Sequence, residues 1–264
     1  MKRRSFVKAS ILTGAASAVL PGISMGETSS KKSDQQLYEL RVYSLKNDTQ
    51  QKLVEYYLQN VAIPALNRLG SKNVGVFTEL KPDGQTRIFV LIPYNSIDDF
   101  LKVQDKLMAD STYMQQASAY LNAPLATPAY DRIESSLLQA FIDMPKLETP
   151  GEQKRIFELR RYESPTEASG KKKIEMFNEG GKEIGIFKRL GFKPVFFSET
   201  LIGTFRPNLV YMITFDDMDA HDRLWKAFGN DPDWKRISTS AEYPNEIVSH
   251  ITSTMLVPAS YSQI

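Results

Sequence analysis

The chain has 264 residues, 42% hydrophobic and 24% charged, proportions that suit a soluble globular protein with a sizeable core. It contains no cysteine, which excludes disulfides, thiolate zinc sites, iron–sulfur clusters and cysteine nucleophiles. The formal charge of +2 is misleading, because loss of residues 1–26 would remove four basic residues and no acid, leaving about −2 and none of the basic field that nucleic-acid binding needs.

Along the chain, Lys2-Arg3-Arg4 leads into the apolar run Ile11–Leu20, closed by Pro21-Gly22, the layout of a signal peptide over residues 1–26. The run is about 12 residues long where a stable membrane span needs roughly 20, so no stable span is expected. The spacing in Arg3-Arg4-Ser5-Phe6-Val7-Lys8 resembles a Tat export signal, with an ordinary Sec signal as the alternative. Either implies a periplasmic or otherwise exported protein. Residues 27–36, rich in Ser, Lys and Gln, read as a disordered leader.

The body of the sequence repeats. Tyr38-Glu39-Leu40-Arg41-Val42-Tyr43 returns as Phe157-Glu158-Leu159-Arg160-Arg161-Tyr162, Leu69-Gly70 as Leu190-Gly191, and Phe89–Asp98 as Val210–Asp219, while Asp110 and Tyr113 fall on Asp231 and Trp234. Two modules follow, residues 37–142 and 156–258, joined by an exposed connector over 143–155 that holds Pro145, Pro150 and Gly151.

Each module predicts the same elements. A short alternating strand precedes a helix with apolar positions Leu53, Tyr56, Tyr57, Val61 and Ile63 to Leu66, ended by the left-handed glycines Gly70 and Gly191. Strands at 74–80 and 87–94 flank the turn Lys81-Pro82-Asp83-Gly84. Ser96 and Asp217 are N-caps for a second helix, and a final strand lies near 137–142 or 250–257. The order βαββαβ is that of a ferredoxin-like sandwich.

The Tyr-Glu-Leu-Arg-x-Tyr opening, its recurrence and the downstream Leu-Gly and apolar strand resemble the NIPSNAP family over nearly all of residues 37–258. That resemblance implies an α+β fold in which two tandem ferredoxin-like modules pack sheet to sheet as a dimeric α+β barrel within one chain. It implies no particular reaction. Homodimerisation through an exposed sheet edge is an alternative to the two copies satisfying each other.

Alternation sends Tyr38, Leu40 and Val42 to one face of the opening strand and Glu39, Arg41 and Tyr43 to the other, with Glu158, Arg160 and Tyr162 repeating the second set. With the apolar face on the helices, the Glu-x-Arg-x-Tyr face lines a polar barrel interior, where two arginines and two tyrosines would hold an anionic or phenolic ligand between the sheets. The structural alternative is that each Glu simply pairs with its Arg. Arg161 disturbs the apolar face of the second copy.

The two histidines, His221 and His250, are the candidate catalytic bases. Their isolation gives no metal-ligand spacing, so no metal site and no cofactor are predicted, although a haem with a single His ligand remains compatible with the sequence. Lys171-Lys172-Lys173 reads as a solvated face, and Trp225, Phe228 and Trp234 as packing residues. No dinucleotide, P-loop or nucleophile-elbow motif occurs. Three functions remain in competition: a small-molecule binder, a cofactor-poor monooxygenase or isomerase, and a purely structural interaction module.

Overall fold

The computed structural model describes residues 35–151, 155–178 and 180–264. The signal-peptide segment and the leader up to residue 34 lie outside the described residues. Gln36, placed in the leader on composition, is tied to the body: its amide nitrogen donates to the Pro145 carbonyl at 2.8 Å, and its carbonyl accepts from Ala140 at 2.9 Å.

The first module contains β1 (Leu37–Leu45), α1 (Asp48–Tyr57), a π-helical turn (Leu58–Ala62), α2 (Ile63–Arg68), β2 (Gly75–Glu79), β3 (Thr86–Tyr94), α3 (Ile97–Ala109), α4 (Ser111–Gln116), α5 (Ser118–Leu121) and β4 (Arg132–Ala140). The second repeats the order with β5 (Ile156–Glu163), α6 (Glu167–Phe177), α7 (Glu183–Leu190), β6 (Lys193–Ile202), β7 (Asn208–Phe215), α8 (Met218–Asn230), α9 (Pro232–Ser238), a 3₁₀ turn (Asn245–Ile247) and β8 (His250–Pro258). The predicted caps are present. Ser96 Oγ accepts from the Asp99 amide, an Asp217 carboxylate oxygen accepts from the Ala220 amide, and Gly70 and Gly191 adopt φ of 102° and 94°. The last strand of module 1 begins earlier than expected, because its first half, Arg132–Ser136, carries no apolar alternation at the open end of the sheet.

The eight strands close into one barrel in the order β1-β3-β2-β8-β5-β7-β6-β4. Each module supplies four neighbouring strands, and β2–β8 and β4–β6 seal the two seams. Every strand therefore has two partners within the chain, and among the described residues no sheet edge is left for a second copy. The connector is less exposed than its composition suggests: Met144 is buried in the core of module 2, and Arg155 is buried on Thr214 and Asp216.

Three cores result. Tyr38, Phe77, Phe89, Leu91, Leu138, Phe157, Phe196, Val210, Met212 and Leu256 fill the barrel. Two further clusters lie between each half of the barrel and its helices, one around Tyr43, Tyr57 and Tyr113, the other around Phe177, Phe187, Phe197 and Tyr211. Among the described residues, no helix is long and apolar enough to cross a membrane.

Candidate functional site

The repeated Glu-x-Arg-x-Tyr face points the opposite way from the sequence expectation. Tyr38, Leu40 and Val42 face into the barrel, whereas Glu39, Arg41 and Tyr43, like Glu158, Arg160 and Tyr162, face the helices. The physical reason is the environment of each side. Inside the barrel the two half-sheets meet face to face, so that space selects apolar groups. The helical layer supplies donors that satisfy buried charge. The interior is accordingly apolar around Tyr38, Phe157 and Phe196, while towards one mouth a cavity of about 370 Å³ is lined by Arg87, Glu134, Ser136, Arg161, Thr200 and Thr252 among others; the six residues expected to hold a ligand between the sheets do not line it. Arg161, facing the barrel mouth, stacks over Phe205 at 4.2 Å and pairs with Glu163 at 3.0 Å.

The charge pairs expected within each strand are made. In module 1 the Arg41 guanidinium donates to Glu39 at 2.8 Å, and Glu39 also accepts from Ser135 Oγ at 2.5 Å and Tyr94 Oη at 3.2 Å. In module 2 one oxygen of the buried Glu158 accepts from Arg160 at 2.5 Å and Ser253 at 2.6 Å. The other accepts from Trp225 Nε1 at 2.8 Å and lies 3.4 Å from His221 Nε2. The two serines are equivalent, since Ser135 pairs with Arg41 in the β1–β4 ladder as Ser253 pairs with Arg160 in the β5–β8 ladder.

The structure thus brings His221 to Glu158, but both of its ring nitrogens are engaged, Nδ1 with Asp222 at 2.8 Å. His250 is exposed at the start of β8, opposite Glu163 in the β5–β8 ladder, whereas His221 meets Glu158, so the two histidines do not form one centre. A haem iron would find His221 already occupied, which restricts that reading to His250.

The modules diverge beyond these shared groups. The N-caps Asn47 and Thr166 set a register in which Lys173 and Met176 occupy the positions of Val54 and Tyr57, and the helix-ending glycines place Glu183 on Ala62. Module 2 therefore carries a buried Lys173–Glu183 ion pair, 2.9 Å apart with side chains 4% and 2% exposed, where module 1 is apolar. Lys173, expected on a solvated face with Lys171 and Lys172, is instead buried, as its alignment on Val54 implies. Its ammonium lies 4.7 Å from the Phe177 ring centre, 5.5 Å from Tyr162 and 5.6 Å from Trp234. Burial pushes the Glu183 carboxyl above its ordinary range, with Lys173 and then Arg160 opposing the shift.

A cavity of about 530 Å³ opens beside this pair, walled by Tyr162, Lys173, Met176, Trp234, Tyr243 and His250 among others. Of these, Tyr162 accepts through its oxygen from Arg160 Nη2 at 3.2 Å and from Tyr211 Oη at 3.1 Å. Both acceptor positions are filled, so the phenol retains its own proton for donation. Burial raises Tyr162 above the ordinary phenol range, which keeps that proton in place near neutral pH. Trp225 and Trp234, expected only to pack, thus hold Glu158 and wall the cavity.

A closed eight-stranded α+β barrel built from two βαββαβ repeats, each with a Glu-Arg-Tyr strand under its helices, defines the class. The sequence pattern of the NIPSNAP family matches residues 38–139 and 157–263, and the chain belongs to that family. No curated protein sequence matches this chain. Among solved structures, a "putative monooxygenase" from Lactobacillus acidophilus is similar at 10% identity over 85% of this chain and 94% of its own, with a TM-score of 0.56. One of the same description from Fusobacterium nucleatum gives 9% identity, 85% and 92% coverage and a TM-score of 0.52. A NIPSNAP family protein from Agrobacterium tumefaciens is 17% identical over 45% of this chain and 97% of its own, with a TM-score of 0.36. At such identities the first two likenesses show the fold alone.

Proposed function

We propose that this NIPSNAP protein binds a small anionic or phenolic molecule in the cavity of module 2, between the sheet and α6, α9 and the start of β8. One observation carries the reading: a cavity of about 530 Å³ is lined by Tyr162, a phenol whose acceptor positions are both filled, together with aromatic walls and the buried Lys173. A ligand oxygen accepts from Tyr162, and its ring or chain packs on Trp234 and Met176. Saturation-transfer NMR with benzoate, 4-hydroxybenzoate and p-cresol tests it against Ser238→Trp, which fills the cavity from α9. Signals in the wild type that vanish in the variant support the site; equal signals in both remove it.

A second reading, a cofactor-poor monooxygenase or isomerase acting on the same ligand, draws support from His250, a residue that lines the cavity. Export is likewise our proposal and rests on residues 1–26. A mature N-terminus found by mass spectrometry near residue 27, with export blocked by replacing Arg3-Arg4 with Lys-Lys, would support the Tat route. Homodimerisation would not pair strand edges of the described residues, because the barrel closes within the chain.

A further inference from the structure

The repeat lets one module describe what the other is shaped to hold, an inference that rests on the cavity of module 2 being a binding site. In module 1 the corresponding space is occupied by a side chain of the protein itself. Tyr120, on α5, sets its hydroxyl 3.1 Å from that of Tyr43. Its ring stacks on Tyr57 with centroids 3.7 Å apart and planes within 1°, and it meets Tyr130 at 5.8 Å. Burial holds the Tyr120 phenol well above its ordinary range, as suits a neutral hydroxyl in that position.

Carried across the repeat, the three neighbours of Tyr120 become three walls of the open cavity. Tyr43 corresponds to Tyr162 through the matched opening strands, Tyr57 to Met176 through the matched helix caps, and Tyr130 to Val248 through the matched β4 and β8 registers. All three equivalents line the cavity. The element that delivers Tyr120 has no counterpart: α9 ends at Ser238 and the chain passes to the 3₁₀ turn Asn245–Ile247. At the spacing that relates α3 to α8, Tyr120 falls on the exposed Ala241.

We propose that Tyr120 is a built-in occupant of a site that module 2 keeps open, and that its pose specifies the ligand of module 2 as a para-substituted phenol. The ligand ring lies against Met176 as Tyr120 lies on Tyr57. Its hydroxyl accepts from Tyr162, the donor whose own oxygen Arg160 and Tyr211 already hold. Its para substituent runs outward along the path that the Tyr120 backbone takes to the exposed α5. The cavity of module 2 accommodates a substituent bigger than a methyl group.

The test is calorimetric titration with p-cresol, which is the tyrosine side chain as a free molecule, alongside toluene and benzoate. Wild type should take up one equivalent of p-cresol per chain. Tyr162→Phe should weaken p-cresol about tenfold while leaving toluene unchanged, the effect of one lost hydrogen bond. Tyr120→Ala, or Tyr120→Leu should the alanine variant not fold, should open module 1 and raise the stoichiometry to two. Equal affinity for toluene and p-cresol, indifference to Tyr162→Phe, or a single equivalent in a folded Tyr120 variant overturns the proposal. Benzoate binding without p-cresol, still blocked by Ser238→Trp, also overturns it while leaving the cavity as a binding site. Failure of all three compounds, or p-cresol binding that Ser238→Trp does not touch, overturns both.

Discussion

Replacing Lys173 by valine, the residue module 1 uses at that position, removes the partner of a carboxylate whose side chain is 2% exposed. Breaking a buried pair by deleting one member costs about 3–5 kcal/mol, because the remaining charge is desolvated without compensation. For a body of this size that lowers Tm on the order of 10 °C. The double variant Lys173→Val/Glu183→Ala copies the Val54 and Ala62 arrangement, and substituting apolar groups for an entire buried pair is commonly neutral or stabilising. Urea unfolding of both variants should therefore show the double variant recovering at least about 3 kcal/mol over the single. The pH dependence has a definite sign. Glu183 is already held above its ordinary value near 4.5, and loss of Lys173 raises it further. Below 4.5 the carboxyl is protonated in both folded and unfolded chains and costs nothing; its penalty grows as pH rises through the raised folded value. The single variant should lose most at neutral pH and recover on acidification towards 4.5. A single variant no less stable than the double, or a deficit that does not change with pH, would refute the buried-pair argument.

Glu158→Gln leaves Arg160 without its anion beneath Trp225 and should destabilise by about 3 kcal/mol in urea unfolding. Phe196→Ala, at the centre of the barrel against Tyr38, should cost about 3–5 kcal/mol, and an effect under about 1 kcal/mol would contradict a filled interior. Asp217→Ala removes the cap of α8 and should cost about 1 kcal/mol by thermal unfolding.

The sequence shows the repeat, the βαββαβ order and the helix caps, because each depends on local chemistry repeated at a fixed offset. It does not show which face of a strand turns inward. Alternation separates Leu40 from Arg41, but β3 and β7 are apolar on both faces, so nothing in the neighbouring strands tells the barrel side from the helix side. Glu39 and Glu158 look like groups that need water or a ligand until Ser135, Ser253, Tyr94 and Trp225 are seen to satisfy them from distant elements. Lys173 was hidden by its two lysine neighbours, and its burial becomes legible only when aligned on Val54. Tyr120 gave no signal, since its role depends on a four-residue helix that the second module lacks.

Closure of the barrel by β2–β8 and β4–β6 has a consequence for how such a molecule can change. When two identical chains build a barrel, every substitution appears on both sides of the two-fold axis, and a plug that closes one site closes both. Here the halves are covalently joined and individually addressable. A tyrosine can fill one half while a lysine and a glutamate remodel the other, so that under the proposal above the molecule trades a pair of equal sites for one specialised site and a permanently docked support.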